Sequence, residues 1–156
     1  MFKYNGKDMK YIEATRLANM LLDNERFYMY IKSAKPFDMS DVTNEKLARL
    51  IKADKHFQIQ VKVVYKWWNP YWRFKRVHGM FSSNKPNEFE VNGYIKKTVP
   101  QIVGTMHHES IHVLDHKYMQ YSFGHGSNSP VGKENTAPYF IGKLAKKLAE
   151  SILDKH

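Results

Sequence analysis

Apolar residues fall at helical spacing in residues 8–23, where Ala14, Leu17, Ala18 and Leu21 share one face. They do so again from Thr43 to about Ala53, where Leu47, Leu50 and Ile51 point one way; Thr43, or Ser40 before it, is a suitable cap. Between them Phe27–Ile31 fits either an extension of the first helix or a short strand, and Pro36 breaks the connector that follows. The period then changes. Phe57, Ile59, Val61, Val63 and Tyr65 alternate with polar or smaller residues, which predicts a half-buried strand. Asn69-Pro70 marks a turn into a second strand over Trp72–Val77, and residues 84–87 turn the chain into a third with Phe89, Val91 and Ile95. These strands run directly into a further helix, with Pro100 in its first turn and Ile102, Val103, Met106, Val113 and Leu114 as its buried positions. The pattern predicts an α+β chain: N-terminal helices and a small three-stranded sheet, mixed or antiparallel, packed on that later helix. Tyr118–Lys133 is a long Gly-, Ser- and Asn-rich segment, of the kind that is functional or mobile. From about Ala137 an amphipathic helix closes the chain, with Ile141, Leu144, Leu148 and Ile152 inward and Lys143, Lys146, Lys147 and Glu150 in water.

Composition narrows the class. A chain of 156 residues with 42% apolar content suits a single domain spanning 1–156. No apolar run approaches the length of a membrane span, and the N-terminus lacks an apolar signal core, so a cytoplasmic protein without membrane contact is expected. The absence of cysteine excludes a disulfide scaffold and any Cys-ligated zinc, so a metal here must use His and carboxylates. A net charge of +10 favours polyanions such as nucleic acid, or serves only to keep the surface soluble. In Tyr65–Arg76 aromatics and cations interleave, making Trp67, Trp68, Arg73, Lys75 and Arg76 candidate nucleic-acid contacts. The alternative is a hairpin whose rings fill the core while Lys and Arg snorkel outward.

The densest chemistry lies in the later helix. His108-Glu109-Ser110-Ile111-His112 is an H-E-x-x-H sequence. At about 100° per residue, two His four apart lie roughly 40° apart on one face and can reach a single ion. Glu109 sits on the adjoining edge, placed to act on a water rather than to ligate. Zinc wants a third protein ligand and an open position. His125, between Gly124 and Gly126, is the favoured third ligand because glycines let the chain fold back freely. Glu134 is the alternative, near the start of the last helix. His116 lies about 80° around the helix from His108, too far for a straight helix to offer it to the same ion. Asp115 projects near the His108 side and suits an outer hydrogen-bond acceptor or a helix-packing polar group. Tyr121, Tyr139 and His116 are candidate oxyanion or substrate contacts.

His108–His112 followed by Gly124-His125-Gly126 resembles the SprT-like zinc metalloproteases, in which H-E-x-x-H precedes a third His in an H-G loop. It is also similar to small phage-encoded zincin-type proteins with a comparable Asn-Thr-Ala-Pro-Tyr stretch, here Asn135–Tyr139. The likeness covers about residues 89–141; no cysteine ribbon follows, and the N-terminal half matches nothing in that pattern. With Glu134 as ligand the resemblance would instead be to gluzincins. The resemblance implies a zincin-like fold, Zn2+ on His108, His112 and His125, Glu109 as general base, and hydrolysis of protein or peptide substrates. SprT-like members often act on DNA-bound proteins, which suits the positive charge.

The expectation is therefore a zinc metallopeptidase, with two alternatives. One is a basic nucleic-acid-binding protein whose metal site is structural; the other is a phage structural component with a vestigial zincin fold.

Overall fold

The computed structural model describes residues 1–74, 77–125 and 131–155; Lys75, Arg76 and Gly126 lie outside them. The described residues form an α+β fold with six helices and one four-stranded mixed sheet. In chain order they are β1 (Phe2–Tyr4), α1 (Met9–Leu22), α2 (Glu25–Ser33), α3 (Asn44–Ala53), β2 (Ile59–Val64), α4 (Pro70–Arg73), β3 (Gly79–Phe81), β4 (Glu88–Asn92), α5 (Val99–Lys117) and α6 (Ala137–Leu153). No helix among the described residues is long and apolar enough to cross a membrane.

Local side chains set the helix limits. Asp8 accepts from the Lys10 amide to start α1, and Thr43 accepts from the Lys46 amide to start α3. Phe27–Ile31 is neither an extension of α1 nor a strand. Asn24 accepts from the Arg26 amide and opens a separate helix, α2, which buries Phe27, Tyr28 and Ile31.

The sheet runs β1-β2-β4-β3, with β1, β2 and β4 parallel and β3 antiparallel to β4. Phe2, Ile59, Val61, Phe89 and Val91 are buried in the core with residues of α1 and α5. The expected three-stranded sheet is thus four-stranded. Two members, β1 and β3, lie outside the expected strands, and each has three residues, too few to show a period of two. Asn19 on α1 secures β1, accepting from the Phe2 amide at 2.8 Å and donating to the Phe2 carbonyl at 3.0 Å.

The strand expected over Trp72–Val77 does not start there: Trp72 and Arg73 are helical, and Lys75 and Arg76 lie outside the described residues. Asn69 accepts from the Tyr71 and Trp72 amides and Pro70 occupies the first turn, so the chain makes one turn of helix there. The Asn92 side chain donates to the Trp72 and Val77 carbonyls at 2.9 and 2.8 Å, holding that turn against β4. Trp72 goes into the core while Trp67 and Trp68 stay in water.

Helix α5 is central: Ile102, Val103, Met106, Ile111 and Val113 are buried, and α6 lies along it. The innermost side of α6 is made of Ile141, Ala145 and Ala149, with Leu144, Leu148 and Ile152 packed at its margins. The two helices touch at glycines. A Cβ on Gly142 would stand 2.8 Å from the Gly104 carbonyl oxygen and 3.1 Å from His108 Cβ. Gly142→Ala would gain about 1 kcal/mol of helix propensity, but the clash is with backbone and cannot swing aside. Overpacking of this kind costs about 1–3 kcal/mol, so the variant should be net destabilised, read as a lower urea midpoint. An unchanged or raised midpoint would show that the helices are not in this contact.

Candidate metal centre

The N-terminus of α5 is fixed by a reciprocal cap: Thr98 accepts from the Gln101 amide and Gln101 accepts from the Thr98 amide. From that start, helical rotation sends three successive residues to three environments. His107 turns into the core, its ring edge-on to Phe2 and tilted against Phe27, with Nε2 3.2 Å from the Ala18 carbonyl oxygen. Burial holds its pKa down at about 4, so it is a neutral packing residue. His108 faces α6 and the segment before it, and Glu109 faces β3.

His125 is delivered by a tethered segment. The Ser122 amide donates to Asp41 Oδ1 at 2.8 Å, the Asp41 amide to the Ser122 carbonyl at 2.9 Å, and the Phe123 amide to Asp115 Oδ1 at 2.8 Å. Phe123 is fully buried and anchors the chain two residues before His125. Gly124 is required by closeness: a Cβ there would meet Asp115 Oδ2 at 2.9 Å, with His112 Nδ1 3.9 Å away. Asp115 therefore holds the backbone just before the third histidine. Its carboxyl is raised above the usual range, chiefly by burial.

The ligand nitrogens of His108, His112 and His125 lie within 4.8 Å of one another and could hold a metal ion. His125 Nε2 is 3.0 Å from His112 Nε2 and 3.3 Å from His108 Nε2. Nitrogens about 2.0–2.1 Å from a tetrahedral ion stand about 3.3 Å apart, so the spacing fits. Direct hydrogen bonding satisfies the group less well, because one ring nitrogen has either a proton or a lone pair and here faces two others. Burial, then the neighbouring imidazoles, pushes His108 down to about 3; burial, then His125, pushes His112 down to about 4. Both are neutral at ordinary pH, as ligands must be. The Pro138 carbonyl accepts from the His108 ring, the kind of outer contact that orients a ligating imidazole.

Glu109 is buried beneath β3. A Cβ on Gly79 would come within 2.7 Å of its Oε1, which explains glycine at that position. Burial pushes its carboxyl up to about 8, opposed by Lys97 and by the Phe81 amide donating to it. Lys97 is itself buried, donating to the His78 carbonyl at 2.7 Å and to Thr105 Oγ1 at 3.3 Å, and burial brings it down to about 8. Neither Lys97 nor Gly79 stands out in the sequence: a Lys between a strand and a helix cap looks solvated, and the chain's reversal onto α5 is tertiary.

Of the remaining candidates, Tyr139 packs on the centre, with ring centroids 4.7 Å from His108 and 5.0 Å from His125. Its hydroxyl pKa is raised, first by burial and then by Glu109 and Glu134. The three histidines make ring contacts with one another, and His108 and His125 with Tyr139. Tyr121 instead lies beneath the Lys46 ammonium and His116 against Phe81. Glu134 is exposed and outside the three-histidine group. Trp67, Trp68 and Arg73 are exposed on the β2–β3 connection. Compared with models of protein families, with curated proteins and with solved structures, the chain matches none.

Proposed function

We propose that this chain is a zinc-dependent metallopeptidase. The observation that supports it most is the convergence of His108, His112 and His125, with His125 at metal-ligand spacing from both of the others, one helix position from a buried carboxylate. A zinc ion held by these three residues supplies carbonyl polarisation and an acidified water.

The chain's own residues do the rest. Glu109, in its ionised form, takes the proton of the attacking water and returns it to the departing amine nitrogen. Lys97 and the Phe81 amide keep that carboxyl from rising further. Tyr139, held as a neutral phenol beside His108 and His125, is the donor best placed for a developing oxyanion.

An extended substrate needs an unpaired strand edge. The 87–95 stretch supplies β4, which is paired on both sides, by β2 and β3. The sheet's edges are β1 and β3, and β3 is the one beside the histidine centre. The Asn92 amide donates to the His78 carbonyl, and by antiparallel alternation the Gly79 and Phe81 backbone groups then point outward. The Phe81 amide reaches Glu109, so this edge borders the proposed base. An extended peptide adding there would be held by its main chain, with broad tolerance for side chains.

Treating the protein with a chelator should abolish hydrolysis of an unfolded substrate such as casein, and adding back zinc should restore it. Hydrolysis that persists after the ion has been stripped would overturn the assignment.

A further inference from the structure

Between Tyr65 and Arg76 the sequence holds six aromatic residues, four cations and no acid. The fold consumes one ring. Trp72 is 1% exposed, under the Lys66 ammonium, which also pairs with Glu90. Tyr65, Trp67, Trp68, Tyr71 and Phe74 remain exposed. Trp67 and Trp68, 68% and 65% exposed, stand edge to face at 6.1 Å and 88°, so each braces the other while most of their surface meets water. Five solvated rings within ten residues form the kind of patch that marks an interaction surface.

Charge selects the occupant. Arg73 is exposed and lies between Trp72 and Phe74, and the chain as a whole carries +10. Burying the rings in a bilayer or an apolar protein groove would drag the Arg73 guanidinium among them out of water. A single-stranded nucleic acid alternates flat bases with anionic phosphates and satisfies both kinds of side chain at once. We propose that the 65–74 connection is a docking surface for single-stranded nucleic acid, with Trp67, Trp68 and Tyr71 stacking on bases and Arg73 meeting phosphate. None of these side chains belongs to the histidine centre, so the proposal stands or falls apart from the peptidase assignment.

Fluorescence anisotropy of a labelled oligothymidine of about twenty nucleotides, titrated with the full chain at about 50 mM salt, tests it. Trp67→Ala/Trp68→Ala should weaken binding by about tenfold or more. Arg73→Gln should weaken it and reduce the slope of log affinity on log salt by about 0.7. The control Lys143→Gln/Lys147→Gln on exposed α6 positions, which removes the same sign of charge elsewhere, should change it by less than about threefold. All these side chains are exposed, so a matching urea midpoint shows that each variant is folded. Three results would overturn the proposal: no saturable binding by the wild type; equal losses in the control and the tryptophan variant; or a blue-shifted tryptophan emission with phosphatidylglycerol vesicles but no binding to the oligonucleotide.

Discussion

Glu109→Gln is expected to lower peptide hydrolysis by about a thousandfold or more while leaving the bound ion at wild-type stoichiometry. General-base catalysis alone contributes about 10²–10⁴. Gln keeps the size of the side chain and an oxygen to accept from the Phe81 amide, so the fold around β3 has no reason to change. What it loses is basicity. The glutamate is set apart from an ordinary surface carboxylate by burial, which lifts its pKa to about 8, and by Lys97, which limits the rise. Its neighbour His108 points toward α6, away from the substituted side chain. Full activity in Glu109→Gln would remove the base from the mechanism, and loss of the ion together with activity would make the residue a contributor to binding instead.

The second large effect is acid sensitivity from His107. Its folded pKa is about 4 because the ring is buried, whereas an unfolded histidine titrates near 6.5. Below about 6.5 the unfolded chain therefore binds more protons than the folded one. The stability this residue protects is complete above pH 6.5, falls as pH drops, and stops falling below about 4, where both states are charged. The gap corresponds to about 3 kcal/mol, a large part of the roughly 5–15 kcal/mol of an ordinary domain. His107→Gln removes the titration and keeps an N–H able to face the Ala18 carbonyl. With chelator present in both samples, so that the ligating histidines titrate alike, the variant's loss of stability between pH 7 and pH 4 should be smaller by about 3 kcal/mol. Equal losses would mean that His107 is hydrated or charged in the folded state.

Much of this was legible from residue spacing. The amphipathic periods of α1, α3 and α6 and the alternation along β2 each reflect one face meeting the core, and that is written locally. His108 and His112 share a helix, so their proximity follows from helical rotation alone. His125 was placed by a weaker signal, the adjoining glycine; the structure gives the reason, since Gly124 lies against Asp115 and His112. What could not be read depends on partners distant in sequence. β1 exists because Asn19 and β2 complete its hydrogen bonds. Tyr139 reaches His108 because Gly104 and Gly142 let α6 press on α5. Lys97 is buried because the chain reverses over it, placing the His78 carbonyl in reach. Trp72 and Arg73 are helical rather than extended for a local reason: the Asn69-Pro70 cap outweighed the aromatic β-propensity after it.

Every chemical step above requires that the three imidazoles hold an ion. Elemental analysis and titration calorimetry with zinc on the purified wild type, His125→Ala and Glu134→Ala test this most directly. One zinc per chain is predicted for the wild type and for Glu134→Ala, and a substoichiometric, weakly held ion for His125→Ala. A wild-type protein that contains no zinc and takes none up, or a His125→Ala variant that binds as the wild type does, would contradict it.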